Sequence, residues 1–247
     1  MLSPVILIVI STISSPQAPL PPPVQVLEQF YAQPDLVRRK AVETYSKGCR
    51  DRRARMRYRK QAGALSRFER IVLDPSPAVR LAAVTMAVCF GPAKSAPALS
   101  RLVGDTDPAV SLKAMNQVAD FSDASTTAAM VSWLETHQTA CLTASPSQAE
   151  HCIYALYATG QSARNEPAGS KLRLAGSRAL QPFLGAALPK AREVAVVALS
   201  FIGSSTDVAP IKELIDRERQ GSFTQANSTG ILSQFQAIAS QLAQSKP

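Results

Sequence analysis

Three segments of the chain place apolar and polar residues in the same order: QPDLVRRKAVETYSKG, SPAVRLAAVTMAVCFG and DPAVSLKAMNQVADFS. Superimposed, they align Val37, Val79 and Val110, then Ala41, Ala83 and Ala114. The three- and four-residue spacing of apolar positions predicts one helix in each segment. Pro77 and Pro108 stand two residues before the aligned valine, and Pro34 three before. A proline at a helix start has φ already set and loses no needed hydrogen bond. Asp107 suits an N-cap. Two weaker copies follow, QAEHCIYALYATG and KAREVAVVALSFIG, and Gly48, Gly91, Gly160 and Gly203 fall eleven or twelve residues after the aligned position. Glycine there predicts a left-handed stop.

A second apolar-periodic segment precedes each of these helices, marked by Leu65, Phe68 and Val72, by Leu99, Leu102 and Val103, and by Met130, Trp133 and Leu134. Phe183, Leu184 and Leu188 open a fifth pair, Ile211, Leu214 and Ile215 a sixth, and a helix over 230–243 closes the array. EVAVVALSFIG has a strand-like composition, but Ala195, Ala198, Leu199 and Ile202 share a helical face. The aligned positions recur every 31 to 43 residues, the period of helical-pair repeats. The expectation is an all-α chain of about five to six stacked helical pairs.

DPSPAVRLAAVTMAVCFGPAKSAPALSRLVGDTDPAVSLKAM resembles HEAT repeats, especially the short variety seen in phycobilin lyase-like proteins. The resemblance runs from Asp74 to Leu134 and returns over Ala191 to Ile215. It implies an α-solenoid with a right-handed superhelix and a protein-interaction scaffold, and it carries over no active site. A phycobilin lyase-like enzyme is a further reading on family analogy alone. The chain departs from the pattern in an arginine-rich stretch before the second clear repeat and in QSARNEPAGSKLRLAGS, expected as an insertion loop over about 161–177.

Composition fits helices packed closely in layers: 46% of residues are apolar but only 6% aromatic, so small aliphatic side chains carry the core. The net charge of +9 is local. Residues 38–70 hold thirteen Lys/Arg against three Asp/Glu, while the remainder is nearly neutral. Within that segment CRDRRARMRYRK carries Arg52, Arg53, Arg55, Arg57, Arg59 and Lys60. On one helix over Asp51–Leu73, Ala54, Tyr58, Ala62, Leu65 and Val72 would form a packed stripe. The arginines, with Arg67 and Arg70, would take the solvated face. Arg38, Arg39, Arg80 and Lys113 lie on the second helices of the repeats, whose concave surface is the default binding face of a solenoid. Joined to the basic helix, they would present one positive surface to an acidic protein partner or an anionic envelope surface. The alternative partner is nucleic acid, held by Arg52 to Lys60 with steep salt dependence.

The first residues, MLSPVILIVISTISSPQAPLPPP, read as an export signal over 1–18, too short to span a bilayer. A stiff proline-rich spacer follows over 19–23, then the helical array over 24–247, with no transmembrane helix in the mature chain and a monomeric state. Export implies an extracytoplasmic location; a cytoplasmic one is the alternative. Cys141 and Cys152 flank a connector between antiparallel helices, and Cys49 and Cys89 end successive second helices, so each pair has a geometry for a disulfide. Four buried thiols in a cytosolic protein are the other reading. His137, Cys141, His151 and Cys152 also offer a tetrahedral zinc set, although the adjacent His151 and Cys152 would diverge on a helix. Nucleophile elbows, zincin helices and phosphate loops are absent from the sequence, so no catalytic residues and no cofactor are expected.

Overall fold

The computed structural model describes residues 32–49, 55–56, 59–60, 63–121, 123–146, 148–222 and 228–244. The expected signal and proline-rich spacer lie outside them, as do Arg52, Arg53 and Arg57. The described residues form eleven α-helices and no strand: α1 (Asp35–Gly48), α2 (Ala64–Ile71), α3 (Pro77–Met86), α4 (Pro92–Val103), α5 (Pro108–Ala119), α6 (Ala124–Leu142), α7 (Ala149–Ala163), α8 (Lys171–Leu180), α9 (Pro189–Ile202), α10 (Val208–Arg217) and α11 (Ser228–Ala243).

Local chemistry sets the boundaries. Proline opens α3, α4, α5 and α9. Asp107 caps α5 by accepting from the N–H groups of Ala109 and Val110 at 3.0 and 3.1 Å, and Asp123 and Ser170 cap α6 and α8 in the same way. Gly91 ends the turn after α3 with φ 77°, a conformation that suits glycine.

The odd-numbered helices form one row, in which α1 touches α3, α3 touches α5, α5 touches α7, α7 touches α9, and α9 touches α11. A second row runs alongside, with α4 against α6 and α6 against α8, and each even helix from α2 to α10 packs on the odd helix that follows it. The core lies between the rows, around Phe68, Met86, Leu99, Met115, Leu156 and Phe183, all fully buried. Alanines at 83, 114, 155, 195 and 198 line the odd helices without exposure, and their small size brings backbones together.

One close approach between helices is at Gly160. A Cβ there would stand 2.8 Å from both Cα and Cβ of Ala198 and 2.9 Å from its carbonyl oxygen. Gly160 was expected to stop its helix, but α7 continues to Ala163 and the glycine is the point where α7 and α9 cross. Gly160→Ala is therefore expected to cost about 1–3 kcal/mol through overpacking. Gly185→Ala, where an added Cβ meets nothing within 4 Å, should leave the urea midpoint nearly unchanged.

Other expectations are corrected. No single helix runs over Asp51–Leu73, because Gly63 adopts φ 70° immediately before α2 and breaks the backbone direction. Arg67 is buried and does not lie on a solvated face. The 161–177 insertion shrinks to a connector over 164–170, since α7 and α8 absorb the rest. That connector is held by Arg173 on α8. Its guanidinium donates to the carbonyls of Phe201 and Ile202 at the end of α9 and to those of Arg164 and Glu166 beyond α7. A cation at two helix C-termini also opposes their dipoles favourably.

Both cysteine pairs lie at bonding distance. Cys49–Cys89 ties the end of α1 to the turn after α3, with Cα atoms 5.2 Å apart. Cys141–Cys152 ties the last turn of α6 to the first of α7, with Cα atoms 5.5 Å apart. Sulfurs bonded to each other supply no thiolates, so the zinc alternative loses half its ligands. Its histidines are also engaged separately, His137 Nδ1 lying 2.8 Å from the Trp133 carbonyl and His151 Nε2 2.8 Å from the Pro108 carbonyl. No cluster of three or more metal-ligating side chains occurs among the described residues.

Candidate docking surface

The cations expected on the binding face divide into two sets. Arg38 is buried, and its guanidinium forks onto Asp74, with Nε to Oδ2 and Nη2 to Oδ1 both at 2.9 Å. Asp74 is itself 1% exposed and also accepts from the Ser76 N–H at 2.8 Å. Arg80 repeats the arrangement one helix along the row, forking onto Asp105 at 2.7 and 2.8 Å and donating to the Asp74 carbonyl at 2.8 Å. Arg192 takes the same place on α9, paired with the buried Glu218 at 2.6 Å. Glu218 is therefore internal, whereas Glu213 and Asp216 of the same segment are exposed.

Each of these arginines immediately follows the aligned position of its repeat, and each carboxylate comes from a later segment of chain. They act as ties between successive helical pairs. For Arg38 and Arg80, bidentate geometry makes the pairs specific, and the guanidinium tolerates burial when its donors are met. The hydrogen bond to Asp74 raises the Arg38 pKa above its ordinary value despite burial, and the bond to Asp105 does the same for Arg80. Neither group is available to a partner without breaking the fold.

Burial alone would raise the Asp105 carboxyl, but the Arg80 fork and the Asp107 N–H outweigh it and hold the pKa below its ordinary value of 3.8. A carboxylate depressed in the folded state adds stability above its unfolded pKa, and that stability drains away as pH falls through the folded value. Asp105→Asn should thus be less stable than the wild type by roughly 1–3 kcal/mol at pH 7. Below about pH 4 the difference should shrink, because the wild type then loses the same contribution. Urea unfolding of both chains across this range checks the convergence.

The second set faces outward. A groove of about 330 Å³ crosses α1, α3 and α5, floored by Ala78, Leu81 and Ala82 and rimmed by Arg39, Glu43, Lys47 and Lys113. Arg39, Lys47 and Lys113 are exposed. Arg39 Nε donates to Glu43 at 2.7 Å, an exposed pair one helical turn apart that contributes little to stability. Three cations against one carboxylate give the rim a positive excess over an apolar floor. Of the arginine-rich stretch, Arg59 donates through Nε to the Cys89 carbonyl at 2.7 Å, one turn beyond the groove residue Thr85. Arg55 and Lys60 are among the described residues, with Lys60 exposed.

Sequence reasoning placed Arg39 and Lys113 on this face and missed Lys47. The missed signal is its spacing, four residues after Glu43 and so one turn further along the same side of the helix. No helix of the described residues is long and apolar enough to cross a membrane. No family model and no curated protein matches the chain.

Proposed function

We propose that the chain is a non-catalytic α-solenoid of HEAT type that works by docking an acidic protein segment on the exposed face of its odd-numbered helices. The two rows of sequential helix contacts and the repeated arginine–carboxylate ties support a repeat array. The two cystines support an oxidising, extracytoplasmic location. The observation that carries the docking reading is the groove over α1, α3 and α5, where Arg39, Lys47 and Lys113 surround an apolar floor. Charges in such a setting steer an anionic partner and set its register, while the floor gives it apolar contact.

The test uses the full chain and a synthetic ten-residue peptide rich in Glu and Asp. Binding should weaken as salt rises, since the groove cations are exposed and screened. Lys47→Glu/Lys113→Glu should reduce affinity at least tenfold, about 1.4 kcal/mol. Among the described residues neither lysine takes part in an internal tie, so folding should persist. Equal affinity in the reversed variant, or no binding of the peptide at low salt, would remove the groove as the docking site.

A further inference from the structure

The groove covers only one end of the odd-helix row, and the same face continues beyond it. Counted from the aligned position of each repeat, Glu43, Thr85, Asn116, Tyr154 and Val197 all stand at the sixth residue. Glu43 and Thr85 line the groove, so Tyr154 on α7 and Val197 on α9 project from the same side of the row. Tyr157, one turn further along α7, and Phe201 on α9 complete that stripe, opposite the groove residue Lys47 at the far end of the row.

The character of the face changes along the row. Over α1, α3 and α5 it is cationic; over α7 and α9 it is aromatic. Tyr154 and Tyr157 are 36% and 41% exposed, although aromatics make up only 6% of the chain. Tyr157 meets the half-buried Phe201 edge-on with centroids 6.2 Å apart, and the Arg164 guanidinium stands 5.8 Å from the Phe201 ring. Gln161 Nε2 donates to the Tyr157 hydroxyl at 2.8 Å, which orients that ring. An oriented, exposed aromatic cluster with an arginine beside it has the composition of a binding hot spot. Phe201 packs against the core between the rows, whereas Tyr154 and Tyr157 lie outside it.

We infer that this face takes one extended peptide of a partner protein, with acidic residues over α1, α3 and α5 and a large aromatic anchor over Tyr154, Tyr157 and Phe201. The inference rests on the acidic-segment reading above and adds the second contact. Neighbouring helices stand about 8–10 Å apart, so the groove centre on α3 and the cluster between α7 and α9 are roughly 20–25 Å apart. An extended chain crosses that span in about seven residues. The partner motif is therefore an acidic cluster and an aromatic residue separated by about seven positions.

Four labelled peptides test this on the full chain. Two carry six acidic residues, a Gly/Ser spacer of matching length and a Trp, in the two possible chain directions. The other two replace Trp with Ser. One Trp peptide should bind at least tenfold more tightly than its Ser partner, and Tyr154→Ser/Tyr157→Ser should abolish that advantage. Ser peptides that bind through Lys47 and Lys113 with no gain from Trp in either direction would overturn this inference and leave the acidic-segment reading standing. A Trp advantage that survives the double tyrosine variant would also overturn it. Failure of all four peptides to bind would overturn both.

Discussion

Asp74→Ala is expected to lower the unfolding free energy by about 3–5 kcal/mol, because it leaves the Arg38 guanidinium buried without the carboxylate that takes two of its donors. The Ser76 N–H loses its acceptor in the same change. Arg39→Ala on the same helix, removing only an exposed pair, should shift stability by less than about 1 kcal/mol. Arg38→Met/Asp74→Leu, which removes both charges, should recover much of the loss, since a buried ion pair and an apolar pair of similar volume differ little. Urea unfolding of the four chains measures all three statements. A loss below 1 kcal/mol for Asp74→Ala would mean that Arg38 turns out to solvent and that the tie between α1 and α3 is weak.

Removing the cystine Cys49–Cys89 is the other change with a large expected effect. The bridge closes a separation of 40 residues, against 11 for Cys141–Cys152. Chain-entropy arguments give about 4 kcal/mol for the longer loop and about 3 kcal/mol for the shorter. Cys49→Ser/Cys89→Ser should therefore destabilise more than Cys141→Ser/Cys152→Ser. The longer loop also contains Asp74 and all the residues between α1 and α3, so opening it frees the segment that the arginine ties hold. Thermal and urea unfolding of the two double variants ranks them. The reverse order would mean that the residues within the longer loop already restrict the unfolded chain.

The helices were legible because the repeats mark their own starts, with a proline before the aligned position and alanines on the packed face, and because a glycine follows α3 and α9. The chemistry of the arginines was not. Arg38 and Arg80 stand beside the apolar stripe, where a single helix considered alone leaves them at its edge. Their partners lie 36 and 25 residues away and meet them only when pairs stack. One local regularity pointed to this arrangement: Asp74 and Asp105 each stand five residues before the aligned valine of the next repeat. Glu218 obeys no such spacing, and its tie to Arg192 could be read only from the fold. Gly63 and Gly160 show the two opposite meanings of a glycine in a helical pattern. The first turns the chain with a positive φ; the second lies inside a helix that needs its missing side chain to pass Ala198.

With Arg38, Arg80 and Arg192 committed to the interior, the positive surface narrows from the whole basic segment to the groove cations and the exposed part of the arginine stretch. This division separates stability from binding: reversing Lys47 and Lys113 tests docking, whereas reversing Arg38 or Arg80 tests folding.

The most direct measurement is a map of backbone amide resonances of the full-length chain, recorded with and without the acidic peptide at low salt. Perturbations concentrated at residues 39–47, 78–85 and 112–116, on the faces of α1, α3 and α5 that line the groove, are the predicted result. Perturbations confined to α6 and α10 in the other row would contradict the account, as would a spectrum that does not change.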